Sequence, residues 1–213
     1  MGDAFAWANR AASAWTSLPA LAALDLYAQI ADGAHDPFNN DGAGPLFIAM
    51  LSFPSRDPLQ RAVTSPEFSL SLGGRPAGLA WTGSSFERHF YPVGGAAAPA
   101  PLAAPFCYVV RYHKPAEDEA AFIRNYVDTH PPTLGKLPGI RSVMCYFPES
   151  IVAQGVQPAD YMIGNEVAFD SIAAFNAAMQ SEVRQELRAH YRAFPRFTGL
   201  NTHFPMNRTR LVD

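Results

Sequence analysis

The chain has 213 residues, 48% of them hydrophobic and 16% charged, which is enough apolar surface for a sizeable core and excludes a disordered chain. Its formal net charge is −3. With no Lys/Arg cluster and no aromatics interleaved among basic residues, it lacks the electrostatic footprint of a nucleic-acid binder.

The first residues carry Asp3 and a single early base, Arg10, without the charged start and apolar stretch of a signal peptide. No run of about 18 apolar residues exists to span a bilayer. The expectation is a cytoplasmic protein with no membrane partner. The pattern predicts a helix over 3–16, followed by Leu18-Pro19-Ala20 and Tyr27, with no strand before it. Residues 94–105, GGAAAPAPLAAP, have little to pack and prolines that no helix survives. They read as a linker across the surface, so the expected division is 1–93, 94–105 and 106–213.

Beyond the linker, Cys107 to His113 is β-branched and aromatic and reads as a strand, with Tyr108, Val110 and Tyr112 on one face and Val109 and Arg111 on the other. Cys107 and Cys145 read as reduced thiols, since two cysteines make no secreted-type framework. Glu117, Asp118 and Glu119 suit the start of a helix, on which Phe122, Tyr126 and His130 fall at i, i+4 and i+8. Pro131 and Pro132 are expected to stop it. Arg141 to Phe147 and Tyr161 to Phe169 read as strands. A helix capped by Asp170 or Ser171 carries Ile172, Phe175, Met179 and Val183, and Phe197 to Phe204 reads as the last strand. This β-α-β-β-α-β order is that of a ferredoxin-like unit.

The same landmarks recur earlier. Leu18-Pro19 with Tyr27 matches Leu137-Pro138 with Tyr146, and Phe53, Ser55, Leu59 and Val63 match Phe169, Ser171, Phe175 and Met179. His89-Phe90 matches His203-Phe204. The chain is therefore expected to be α+β, with two tandem ferredoxin-like halves, the first degenerate. A four-stranded sheet with helices on one side must cover its other face, and two such halves can close into a barrel whose interior would serve as a pocket for a small molecule.

The segments YVVRYHKP, AAFIRNYVDTHPPTLGKLPGIR and NEVAFDSIAAFNAAM resemble the EthD-like group of the dimeric α/β-barrel superfamily. The leucine after the helix ending sits one place later than in the family pattern. The resemblance implies that His130 borders the cavity and that Glu166 points into the barrel. It also implies a small-molecule ligand and a range of chemistries, from cofactor-free monooxygenases, dehydratases, isomerases and lyases to proteins with no known activity.

His130 is the candidate acid–base group, because imidazole titrates near neutral pH. Tyr126 lies one turn before it, and Glu166 is a carboxylate in mid-strand. Tyr108, Tyr112, Tyr146, Asn201 and His203 are candidate binding residues. Carried back through the repeat, His130 corresponds to Ala11, Tyr126 to Trp7 and Glu166 to Met50, so the first half is expected to supply an apolar wall through Trp7 and Met50.

The six histidines show no metal-ligand spacing, and no phosphate-binding loop or nucleophile elbow appears. No metal and no cofactor is expected, although a haem held by one histidine stays open. The reading that follows is a cofactor-free enzyme of dehydratase, isomerase or lyase type, acting on a small, largely apolar carbonyl or phenolic compound. The alternatives are a cofactor-independent monooxygenase and a non-catalytic binding or accessory protein. Unpaired sheet edges leave homodimerisation open.

Overall fold

A computed structural model describes residues 2–42, 44–102 and 104–212. The first half runs α1 (Gly2–Trp15), β1 (Ala23–Gln29), β2 (Phe47–Ser52), α2 (Arg56–Val63), α3 (Pro66–Ser71), β3 (Thr82–Gly83) and β4 (Ser85–Tyr91). The second runs β5 (Phe106–His113), α4 (Glu119–Leu134), β6 (Ile140–Glu149), β7 (Gln157–Pro158), β8 (Tyr161–Phe169), α5 (Ile172–Met179), α6 (Glu182–Ala193) and β9 (Asn201–Val212).

Seven strands form one curled antiparallel sheet in the order β2-β1-β9-β5-β8-β6-β4, and β3 and β7 make a small parallel pair. Strands β9-β5-β8-β6 have the ferredoxin-like order. The first half adds strands at both ends of that sheet, β1 pairing with β9 and β4 with β6. It has no strand equivalent to β5 among the described residues, so β2 and β4 are left as the two sheet edges. The fold is α+β, a curled antiparallel half-barrel sheet with helices packed on it.

Alternate residues divide the sheet into two faces. Tyr108, Val110, Tyr112, Val143, Val167 and Phe169 pack under α4, α5 and α6. Cys107, Val109, Met144, Tyr146, Ala168 and Met206 face the concave side, where Tyr27, Met50 and Phe86 join them from the first half. A third core lies under α1, with Trp15, Leu24, Val63 and Phe68.

Four expectations need correction. Residues 94–105 do not simply cross the surface: Leu102 and Ala104 are buried in the concave core. An open-sided barrel exposes apolar floor, and the linker covers it. Pro131 and Pro132 do not end α4, which continues to Leu134. Proline's fixed φ is helical, so it can occupy the last turn at the loss of two backbone hydrogen bonds. The helix after Ser171 is two helices, broken at Gln180 and Ser181. The last strand begins at Asn201 rather than Phe197, because the chain first presses against the end of β5. A Cβ on Gly199 would stand 1.8 Å from the His113 carbonyl oxygen, so only glycine fits there. Among the described residues no helix is long and apolar enough to cross a membrane.

Candidate active site

Asp118 caps α4, its Oδ1 accepting from the Ala121 amide at 2.8 Å, and this start sets the helix phase. Phe122, Tyr126 and His130 then share the stripe facing the sheet and are all buried. The His130 ring lies 5.0 Å from that of Tyr126, 5.4 Å from Phe194 and 6.2 Å from His190. Its Nδ1 is buried without a hydrogen-bond partner. Burial, reinforced by the positive charge of His190, Arg184 and His203, lowers the pKa of His130 to about 3. The helix-end carbonyls that would favour imidazolium lie a turn further on, so burial prevails and the ring is neutral near pH 7.

His130 lines a cavity between the sheet and helices α4 and α6, together with Tyr108, Tyr112, Asn165, Arg184 and His203. Its volume is about 50 Å³. Tyr126 packs behind this wall, where Asn165 Nδ2 donates to its hydroxyl. Burial holds the phenols of Tyr126, Tyr108 and Tyr112 protonated, well above the ordinary tyrosine range. Tyr112 stands 5.3 Å ring to ring from Tyr126. Asn201 lies beside the Tyr112 hydroxyl and keeps a buried Nδ2 without a partner.

The roof comes from the first half, through the loop between β1 and β2. Asp36 accepts from Arg184 Nη2 at 2.7 and 2.9 Å and from the Tyr108 hydroxyl at 3.0 Å. Burial alone would raise the Asp36 carboxyl, but Arg184, the Phe38 amide and Asn39 bring it below its usual value. Asp41 accepts from both the backbone amide and Nδ1 of His203, at 2.7 and 2.8 Å. The His203 ring also stacks 5.8 Å from Tyr108.

The structure thus gathers His130, Tyr126, Tyr108, Tyr112, Asn201 and His203 on the helix-covered side. It sets the other candidates elsewhere. Glu166 and Tyr146 lie on the concave face, where the Tyr146 hydroxyl donates to Glu166 Oε2 at 2.7 Å. Met50 packs with them. The sheet therefore stands between Glu166 and His130, as strict side-chain alternation requires. Trp7 is remote from both, its Nε1 donating to Gly73 O and its ring meeting Trp81 edge to face. The first half does wall the cavity, but through the polar Asp36 and Asn39 rather than through Trp7 and Met50. The barrel interior, expected to be the pocket, is filled by side chains from all seven strands and by Leu102.

Sequence reading missed Asp36, Asn39, Asn165, Arg184 and Arg188. Only the two arginines carried a signal, their i, i+4 spacing on one face of α6. Among the described residues no three His, Cys, Asp or Glu side chains converge to hold a metal ion.

No protein-family model and no curated protein matches this chain. Solved structures do. An ethyl tert-butyl ether d (EthD) family protein from Bacillus halodurans C-125 matches at 22% identity, covering 46% of this chain and 96% of that one, with a TM-score of 0.36. An anthrone oxidase-like protein matches at 13% identity over 97% of this chain and 85% of that one, with a TM-score of 0.59. A "putative monooxygenase" from Lactobacillus acidophilus NCFM matches at 10% identity over 99% and 89%, with a TM-score of 0.51. The last two share nearly the whole architecture with this chain, and what the likeness establishes is the fold, that of the dimeric α/β-barrel proteins.

Proposed function

We propose that the cavity binds a small, largely apolar carbonyl or phenolic compound and that His130 takes a proton from it without a cofactor, as in a dehydratase, isomerase or lyase. The observation that carries this reading is a neutral, buried imidazole with an unpartnered Nδ1 in a cavity wall. Removing a proton from carbon next to a carbonyl sends the electron pair onto oxygen as an enolate. The imidazolium formed beside Arg184 is unfavourable by itself, but the enolate supplies the missing negative charge. Arg188, which lines the cavity with a buried Nε that has no partner, is the donor for the developing oxyanion, and Tyr126, held by Asn165, fixes the imidazole plane. Return of the proton at another carbon gives isomerisation; loss of a β-hydroxyl as water gives elimination. Glu166, across the sheet, takes no part in this scheme.

The test is turnover by His130→Ala on a panel of phenolic ketones, read also as deuterium exchange at the carbon next to the carbonyl. Loss of general-base catalysis is expected to slow both by roughly 10²- to 10⁴-fold. Rates matching the unmodified protein would end the proposal.

A second reading keeps the first step and changes the second, the carbanion reacting with dioxygen instead of a proton. The names of the anthrone oxidase-like and monooxygenase neighbours favour it, and oxygen uptake during turnover separates the two. The same view takes 1–93 and 106–213 as unequal copies joined by 94–105. Its support is register: Met50 lies opposite Asp25 as Glu166 lies opposite Met144.

A further inference from the structure

The cavity is too small for the ligands its walls suit. An apolar void that admits benzene measures about 150 Å³, three times the roughly 50 Å³ present. The aromatic walls belong to the packed core, buried under α4. The roof is different. Residues 33–41 form a loop whose hold on the second half is mostly polar, with Ala34 packed against the helix-side core. Asn176 bonds the His35 amide and the Gly33 carbonyl at 2.8 and 2.7 Å, Asp36 meets Arg184, and Asp41 meets His203. Phe38 is sandwiched against guanidiniums, 4.7 Å from Arg184 and 5.3 Å from Arg188. Lifting this loop is the way to make room.

Lifting it also strips two arginines of their cover. The Arg184 and Asp36 side chains are 10% and 2% exposed, and separating a buried pair leaves a charge with no counter-ion. The cavity already has polar atoms to spare: Arg188 Nε, a donor, and His130 Nδ1 are both buried without a partner. The vacated position is a carboxylate position, bounded by Arg184 Nη2 and the Tyr108 hydroxyl.

We propose that the ligand is an anion, a small aromatic or unsaturated carboxylate, and that its carboxylate replaces Asp36 on Arg184 and Tyr108 while the roof loop lifts. Asp36 is then an internal stand-in for the ligand. This rests on the reading of the cavity as the binding site and adds to it the charge of the occupant. The contact of Arg184 Nη2 with both carboxylate oxygens is exchanged for one of the same kind, so the exchange is near balance for an anion. A neutral molecule of the same shape must separate the pair with nothing in return.

The experiment is calorimetric titration of the full chain near neutral pH with 4-hydroxybenzoate and, in parallel, its neutral amide 4-hydroxybenzamide. The acid is expected to bind about tenfold tighter or better, and to speed hydrogen exchange at the Phe38 and Asn39 amides as the loop leaves. Asp36→Asn removes the internal competitor and is expected to tighten the acid further, while the amide, no longer separating an ion pair, tightens as well but stays the weaker ligand; a thermal melt checks that this variant is folded. Equal affinities, failure of the acid to bind, or acid binding without faster exchange in the loop overturns the proposal. The unmodified protein alone decides it if Asp36→Asn does not fold. An amide that binds as well as the acid leaves the His130 reading standing, since that is judged by turnover.

Discussion

Ionisable groups lie against both faces of strands β5, β6 and β8, and the faces differ in what surrounds those groups rather than in how deeply they lie. On the concave side Glu166 is fully buried, its Oε2 taken by Tyr146, and Arg111 lies 4.8 Å from the Tyr146 ring and donates to the Val110 and Asn165 carbonyls. Leu102, Met144 and Met206 close over the top. On the helix-covered side His130 is slightly less buried at 9%, yet it borders a void under a loop held by polar contacts. Depth alone therefore does not mark a site. A buried group beside a void whose cover can leave is placed to meet a ligand; one sealed by packed side chains is not.

That contrast breaks most visibly at Asp25. It is fully buried in β1 and accepts from Arg208 Nη1 at 2.8 Å and Arg210 Nε at 2.7 Å, both on β9, so it fastens the first half to the second. Asp25→Ala would leave two guanidiniums facing a lost counter-ion, and the expected loss is about 3–5 kcal/mol in chemical denaturation. A change under about 1 kcal/mol would mean that the β1–β9 seam is held by its backbone ladder alone. Next in size is Leu102→Ala, which opens a hole in the concave core. We expect about 2–3 kcal/mol of destabilisation, the lower part of the range for leucine truncation because a linker can partly collapse. A neutral result would show that the linker merely rests on the barrel.

The sequence made much of this fold legible. Period-two alternation sorted Tyr108 and Tyr112 from Val109 and Arg111, as observed. The Asp118–Glu119 helix start and the stretch Tyr161–Phe169 needed no revision. Alternation tells which residues share a face but not which face borders a void, so the pocket was expected inside the barrel. Asp36 was beyond reach for another reason. It meets Arg184 across 148 positions, from a loop with no periodicity, and an Asp in such a loop reads as solvated. Leu102 was misread because one leucine among Ala, Pro and Gly carries little weight until a gap in a sheet gives it a place to go.

The pH dependence of stability distinguishes the faces more finely. With its pKa near 3 against an ordinary 6.5, folded His130 gives up a proton that the unfolded chain keeps. Its contribution is complete above about pH 6.5 and is lost as pH falls from there toward 3. Between those limits the unmodified protein should lose up to about 5 kcal/mol more than His130→Gln, read from Tm against pH in both. The difference between the proteins is the quantity of interest, because His203, lowered by burial, and Asp36 titrate against the same cavity. Parallel curves would mean that the imidazole reaches solvent in the folded state.

The smallest effect concerns the roof. Asn176 sits on α5 and holds the loop with two exposed hydrogen bonds, to Gly33 O and from His35 N. Exposed bonds of this kind exchange readily with water, so Asn176→Ala is expected to change global stability by less than about 0.5–1 kcal/mol. Its local consequence should be larger. With one tether gone, the loop depends on Asp36, Asp41 and the Phe38 and Ala34 contacts, and local opening is governed by the few contacts that close it rather than by the stability of the whole. Amide exchange at residues 35–39 should quicken several-fold, while exchange at Tyr146 and Glu166, sealed on the concave face, stays as it was. If both regions quicken together, the roof does not move independently of the barrel, and the two faces are not the separate environments that their packing implies.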